Sequence, residues 1–221
     1  MKGTKASAAS GEQRRLLRKE RRHRDRRSDV LRAARELLVT SGVQNFTMAA
    51  VAEAADVTKP ALYYYFASKE ALVSALSLEV FAVEVDALTR AIERAPDGLS
   101  ALEALVRAYV SRYLDDLDAF RLLNLVPQIH GIDRELLERE VYPKSAQING
   151  ALERKLERDR ERGRLHPEVR ARQLANVAWA TAHGLVSLAS SMEAVQGNLR
   201  FTIQDLCDEA CRNLVRGAER R

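Results

Sequence analysis

Much of what catalytic or secreted proteins rely on is scarce here. The 221 residues include two cysteines, four histidines, ten glycines, five prolines and a single tryptophan. Cys207 and Cys211 stand four apart, on one face of any helix that carries them. At that helical spacing a standard disulfide would distort the backbone, which agrees with a reducing compartment. No nearby His or Cys completes a ligand set, so the pair reads as small apolar filling rather than a metal site. His23, His130, His166 and His183 are scattered without ligand spacing. Neither metal nor other cofactor is expected. A phosphate-cradling glycine loop, a nucleophile elbow and a paired-acid constellation are all missing, and the expectation is a non-enzyme.

Targeting signals are absent as well. Residues 1–10 are small and polar, and no apolar core follows the basic run behind them. Residues 173–192 hold no formal charge and are about long enough to span a bilayer. They also hold Asn176, Thr181, His183, Gly184 and several serines, which suits a helix buried on several sides better than one facing lipid. The expected setting is the cytoplasm, without membrane contact.

Charge is abundant and unevenly placed. Residues 1–29 carry 11 Lys/Arg against 4 Asp/Glu, while the remaining chain carries 25 against 27. The basic excess reads as a flexible arm over residues 1–27, suited to lying along a polyanion. Without a polyanion it would be a solvated tail.

Local patterning is sharpest just after that arm. Thr47 is placed to cap a short helix whose Met48, Val51, Ala52 and Ala55 fall on one stripe. The helix stops near Asp56-Val57, and Thr58 is placed to cap the next. Pro60 sits in that next first turn, where no helical donor is lost. Leu62 and Phe66, four apart, are its buried anchors, which leaves Lys59, Ala61, Tyr63 and Tyr64 on the outer side. Ser68 caps a third helix.

Two short capped helices with an exposed base, a proline and tyrosines form a helix-turn-helix, and residues 30–72 resemble the N-terminal domain of the TetR family of bacterial transcriptional regulators. The matching residues are Ala33-Ala34, Gly42, Phe46-Thr47-Met48, Val51-Ala52, Val57, Leu62-Tyr63, Phe66 and Ser68-Lys69-Glu70-Ala71-Leu72, across about a fifth of the chain. Asp56 departs from the turn glycine common in the family, and Pro60 from a usual glycine or threonine. The resemblance implies that Thr47, Tyr64, Tyr65 and Lys69 bind phosphates. It implies that Lys59, Pro60, Ala61 and Tyr63 face base edges, the lysine towards guanine and the small apolar groups towards a thymine methyl. Thr58, opening the same helix, belongs to that DNA-binding set. Packing is the competing role for the tyrosines, for Tyr65 above all.

Beyond residue 72 the pattern is of amphipathic helices separated by breakers, with no strand period. Helices are expected over 70–94, 100–116, 119–129, 133–162, 167–194 and 202–216. With three in the head this gives an all-α chain of about nine helices, the family's usual number. The expected domains are the arm, a DNA-binding head over 28–72 and a larger body over 73–221. In the last helix Ile203, Leu206, Cys207, Ala210, Cys211, Leu214 and Val215 form an unbroken apolar stripe. With Leu174, Val177, Ala178, Thr181, Leu185, Val186 and Leu188 of the helix before, it suits a four-helix interface between two copies. The same stripes could pack within one chain.

The middle helices offer candidate effector contacts in Phe81, Tyr109, Tyr113, Phe120, Asn124, His130, Tyr142, Trp179 and His183, mostly apolar with a few polar groups. Each is equally a candidate core residue. The resemblance implies a homodimeric repressor on a palindromic operator, released by a small hydrophobic effector. Two other readings fit the charge and helices: a weakly specific architectural DNA-binding protein, and a helical protein-interaction module.

Overall fold

Where this chain bends is set by its caps. The structure, a computed structural model, describes residues 3–42, 45–124, 134–194 and 200–220, with side chains from residue 15 onward. The chain divides into two units, Met1–Leu76 and Ser77–Arg221, with the division falling inside one helix. Among the described residues nine α-helices of seven residues or more carry the fold, as the patterning predicts.

The first unit holds α1 (Gly3–Ser41), α2 (Met48–Ala54), α3 (Lys59–Tyr65) and the start of α4 (Lys69–Arg94). α1 continues N-terminally through the basic segment, where the sequence pattern points to a flexible arm. No proline occurs before Pro60, and from residue 12 onward the segment is dominated by Arg, Lys, Leu, Glu and Gln, which favour helical backbone. Gly42, at φ 72°, donates to the Leu38 carbonyl at 3.1 Å and ends α1 in the left-handed conformation. Val30, Leu31 and Ala34 of α1 are buried with Phe46, Val51, Leu62, Phe66, Leu72 and Leu76. Each fully buried large side chain contributes roughly 1.5–3 kcal/mol, so a head of this size rests on few residues.

Caps close the turns between these helices. Thr47 Oγ1 accepts from Ala50 N at 3.1 Å, Thr58 Oγ1 from Ala61 N at 3.3 Å and Ser68 Oγ from Ala71 N at 3.1 Å. α2 ends in a paired C-terminal motif: Val57 N donates to Ala52 O at 2.9 Å and Asp56 N to Glu53 O at 3.1 Å. That motif needs a left-handed residue, and Asp56 supplies it at φ 51°. Short polar side chains tolerate this conformation better than other non-glycine residues.

The second unit holds the remainder of α4, then α5 (Gly98–Leu114), α6 (Leu117–Asn124), α7 (Tyr142–Glu161), α8 (Ala171–Ala194) and α9 (Ile203–Ala218). α5 is its hub, packing on α6, α7, α8 and α9 and burying Leu102, Leu105, Val106, Tyr109, Val110 and Tyr113. Its first turn is capped twice. Asp97 accepts from Ser100 N at 2.8 Å, while Asp159 of α7 accepts from Gly98 N at 2.8 Å and Leu99 N at 3.0 Å. A Cβ on Gly98 would fall 2.7 Å from the Leu156 backbone, so only glycine lets α5 meet α7 this closely.

α7 is entered through a helical turn, Arg134–Leu136, and a π-turn, Leu137–Val141, in which Tyr142 N donates to Leu137 O. Pro143 explains the wide turn. It has no N–H for the carbonyl four residues back and its ring crowds that carbonyl, and an extra residue in the turn relieves both. After α7, Gly163 takes a left-handed φ of 71°, and residues 164–166 pair with the chain end through one bridge, Leu165 to Glu219. His166 N donates to Ala218 O at 2.9 Å and Arg220 N to Arg164 O at 2.8 Å. This bridge, and the turn closed by Val169 N on His166 O, delay α8 to Ala171, past the expected start at 167.

Candidate nucleic-acid interface and body cleft

α3 buries one residue completely and shows most of the rest. Leu62 has no exposure, and Phe66 at the C-terminal cap has 3 %. Lys59, Pro60, Tyr63 and Tyr64 are exposed, Tyr64 at 70 %, while Ala61 and Tyr65 are half-buried. A seven-residue helix that exposes two aromatic rings forgoes burial it could have had, which marks a binding surface. Thr47 and Thr58 are exposed at the starts of α2 and α3 with their hydroxyls engaged as caps. Lys69 is half-buried, its ammonium 5.5 Å from the centre of the Phe46 ring.

The basic part of α1 joins this surface, a connection that sequence reasoning misses. The His23 ring meets Tyr64 edge-on at 5.4 Å and Tyr65 at 4.9 Å, and the two tyrosines meet each other at 5.4 Å. Arg27 lies 4.8 Å above Phe66. The signal was present: His23, Arg27, Val30, Leu31 and Ala34 follow one helical stripe, continuing the buried face of α1 back into the basic run.

Known proteins share this head. Residues 30–76 match the model of a family described as bacterial regulatory proteins, tetR family. Residues 30–76 thus form a TetR-type head. Solved structures extend the likeness to the whole fold. A protein of unknown function from Rhodococcus sp. RHA1 is 24 % identical with TM-score 0.68, over 88 % of this chain and 96 % of that one. The fatty acid degradation regulator FadR from Bacillus halodurans is 18 % identical with TM-score 0.66, over 87 % and 95 %. FadR from Bacillus subtilis in complex with stearoyl-CoA is 16 % identical with TM-score 0.65, over 86 % and 98 %. No curated protein matches in sequence. The chain thus carries a TetR-type helix-turn-helix head and shares its overall fold with these regulators, and no described helix is long and apolar enough to cross a membrane.

The body contains a cleft between α4, α5, α7 and α8, with about 350 Å³ of empty space, part of it open to solvent. Phe81, Glu84, Leu88, Leu105, Ser145, Ile148, Asn149 and Trp179 line it. Of the effector candidates, Phe81 and Trp179 are in that wall. Tyr109, Tyr113, Phe120 and His183 form an aromatic cluster instead. Its rings run from Trp179 stacked on His183 at 5.2 Å, through Phe120 at 5.2 Å and Tyr113 at 5.4 Å, to Tyr109 at 4.9 Å. Asn124 Nδ2 donates to the Phe120 carbonyl at 3.1 Å. Tyr142 is 56 % exposed and outside the lining. His130 lies outside the described residues.

Two polar pairs belong to the cluster. Tyr109 Oη and His183 Nδ1 share a hydrogen bond of 3.0 Å, and burial holds the imidazole below its usual pKa. The Tyr113 hydroxyl donates to Glu84, whose side chain reaches the cleft wall. Burial pushes the Glu84 carboxyl above the usual range, against the opposing pull of Tyr113 and Arg112. Glu84 is not among the sequence candidates, although α4 advertises it: Leu76, Val80, Glu84, Leu88 and Ile92 run four apart, and the one charge in the stripe is Glu84.

Proposed function

We propose that this chain is a homodimeric repressor which reads a palindromic operator with α3 and leaves it when a small apolar molecule enters the body cleft. The observation that carries the reading is the face of α3, where Lys59, Pro60, Tyr63 and Tyr64 stay exposed around a fully buried Leu62. Lys59 suits the guanine edge, Pro60 and Ala61 a thymine methyl, and Tyr63 either. Thr47, Thr58, Tyr64, Tyr65 and Lys69 then hold phosphates and set the register. The cationic segment of α1 adds attraction that is independent of sequence.

Dimerisation is supported by the surface of α8 and α9. Val177 is 51 % exposed, and Leu206, Ala210 and Leu214 are half-buried within the single chain. Two copies would place two recognition helices about one DNA turn apart, so that a palindrome matches the two-fold axis. The effector reading is supported by the make-up of the cleft wall, where apolar Phe81, Leu88, Leu105, Ile148 and Trp179 stand beside polar Glu84, Ser145 and Asn149. The fatty-acid regulator names and the stearoyl-CoA complex among the structural neighbours favour a ligand with an apolar chain, whatever its polar end. Release requires that the ligand prefer the conformation that fits the operator poorly.

Selection of bound duplexes from a random pool, at near-physiological salt, tests the reading. Recovery of a palindrome is the expected result. Retention of DNA with no recurring sequence would reject sequence-specific reading and favour an architectural role carried by basic α1.

A further inference from the structure

We propose that the body cleft selects a small organic cation, an apolar frame bearing one ammonium group, and that Glu84 is the residue that selects it. The proposal rests on the effector reading above and gives it a ligand class. Glu84 is 7 % exposed yet contributes to the cleft wall. A carboxylate accepts as many as about four hydrogen bonds, and the described residues give this one a single donor, the Tyr113 hydroxyl. Holding Tyr113 in place needs no charge, because an amide would accept the same bond. The nearest cation, Arg112, is already engaged: it lies 3.7 Å from Asp116 and 5.4 Å above the Tyr113 ring. With that pair balanced, an ionised Glu84 leaves one negative charge at the cleft wall.

Such a charge is costly to keep unpaired and is stabilised by an arriving cation. Phe81 and Trp179 complete the complement, since aromatic faces attract an ammonium group and Leu88 and Leu105 cover its apolar frame. An anionic ligand would meet a like charge, and a neutral one would make no charge-assisted contact with Glu84. The raised pKa of Glu84 agrees with a group waiting for a counter-charge.

The chain carries its own probe, because Trp179 is its single tryptophan and stands in the cleft wall. Octylamine, 1-octanol and octanoate have equal chain length and, at pH 7.5, differ in charge. Each is titrated into the full-length protein while Trp179 fluorescence is followed. Octylamine is expected to saturate the signal at concentrations at least about tenfold lower than the other two, the advantage of a charge-assisted contact. Glu84→Gln should bring the amine to the level of the alcohol. Equal or tighter binding of octanol or octanoate by the unmodified protein would overturn the proposal, as would the lack of any saturable response. The first ranking needs no variant, so a folding defect in Glu84→Gln cannot hide the answer. Repeating the titration on a bound duplex separates the two readings. Glu84-dependent amine binding with unchanged DNA affinity removes the release mechanism and leaves the cation selection standing; release by the alcohol and the acid alone does the reverse.

Discussion

Removing the Asp159 carboxylate should cost this protein a large part of its stability. Asp159 is 1 % exposed and accepts from two amides at the start of α5, Gly98 N at 2.8 Å and Leu99 N at 3.0 Å. Arg164 approaches its other oxygen at 3.5 Å. Hydrogen bonds to a charged group contribute about 1.5–3 kcal/mol each, and their loss leaves two buried amides without an acceptor. Breaking a buried charged contact from one side costs about 3–5 kcal/mol, and the same range is expected for Asp159→Ala. Asp159→Asn keeps one acceptor oxygen and should cost about half as much, roughly 1.5–2.5 kcal/mol by the same reasoning. Equilibrium urea unfolding at one fixed protein concentration measures both, because the midpoint shifts in proportion to the loss when the slope is unchanged. A change below about 0.5 kcal/mol for Asp159→Ala, the range of ordinary surface substitutions, would refute the clamp. Leu105 of α5 and Ser145, Ile148 and Asn149 of α7 all line the cleft, so the clamp between α5 and α7 also bears on its shape.

Four other outcomes are expected. A Cβ at Gly184 meets nothing within 4 Å in the single chain, so Gly184→Ala should gain up to about 1 kcal/mol in helix propensity. It should nonetheless weaken self-association measured by sedimentation on dilution; unchanged association would take this part of α8 out of the interface. At Asp56, thermal stability should rank Gly above Asp above Val, the valine costing about 1–2 kcal/mol in a left-handed position, and identical melting temperatures would show no strain there. Glu84 binds its proton more tightly folded than unfolded. Stability therefore falls as pH rises from the unfolded carboxyl pKa, about 4.3, through the raised folded value. The melting-temperature gain of Glu84→Gln should grow between pH 4.5 and pH 8, and a gain independent of pH would contradict it. Deleting residues 1–27 should weaken binding to every duplex and lower the salt slope by about 0.9 for each phosphate that the segment neutralises, an unchanged slope leaving the segment passive.

The head is largely legible in the sequence because its signals are local. Thr47, Thr58 and Ser68 cap within three residues of themselves, and Pro60 and Leu62 state the phase of α3. What sequence reasoning misses depends on distant partners. The Asp97-Gly98 pair looks like a helix break, yet α5 begins at Gly98 because Asp159 supplies acceptors to its first amides. Glu84 is invisible as a site until Tyr113 and the cleft surround it. Tyr109, Tyr113 and Phe120 are candidate ligand contacts on aromatic character alone, and burial places them in the core. The helical state of the basic segment follows from propensity, but its seat on Tyr64 and Tyr65 needs the turn geometry between α2 and α3.

The contact of His23 with Tyr64 and Tyr65 also orders events during synthesis. The cationic helix leaves the ribosome before the rings it rests on, which follow after α2 and its turn. Until α3 forms, its positive charge has no protein surface to occupy and stands near ribosomal RNA, where any polyanion competes for it. Maturation of the head thus ends with its oldest segment, and refolding from denaturant in the presence of nucleic acid will be slower than refolding without it.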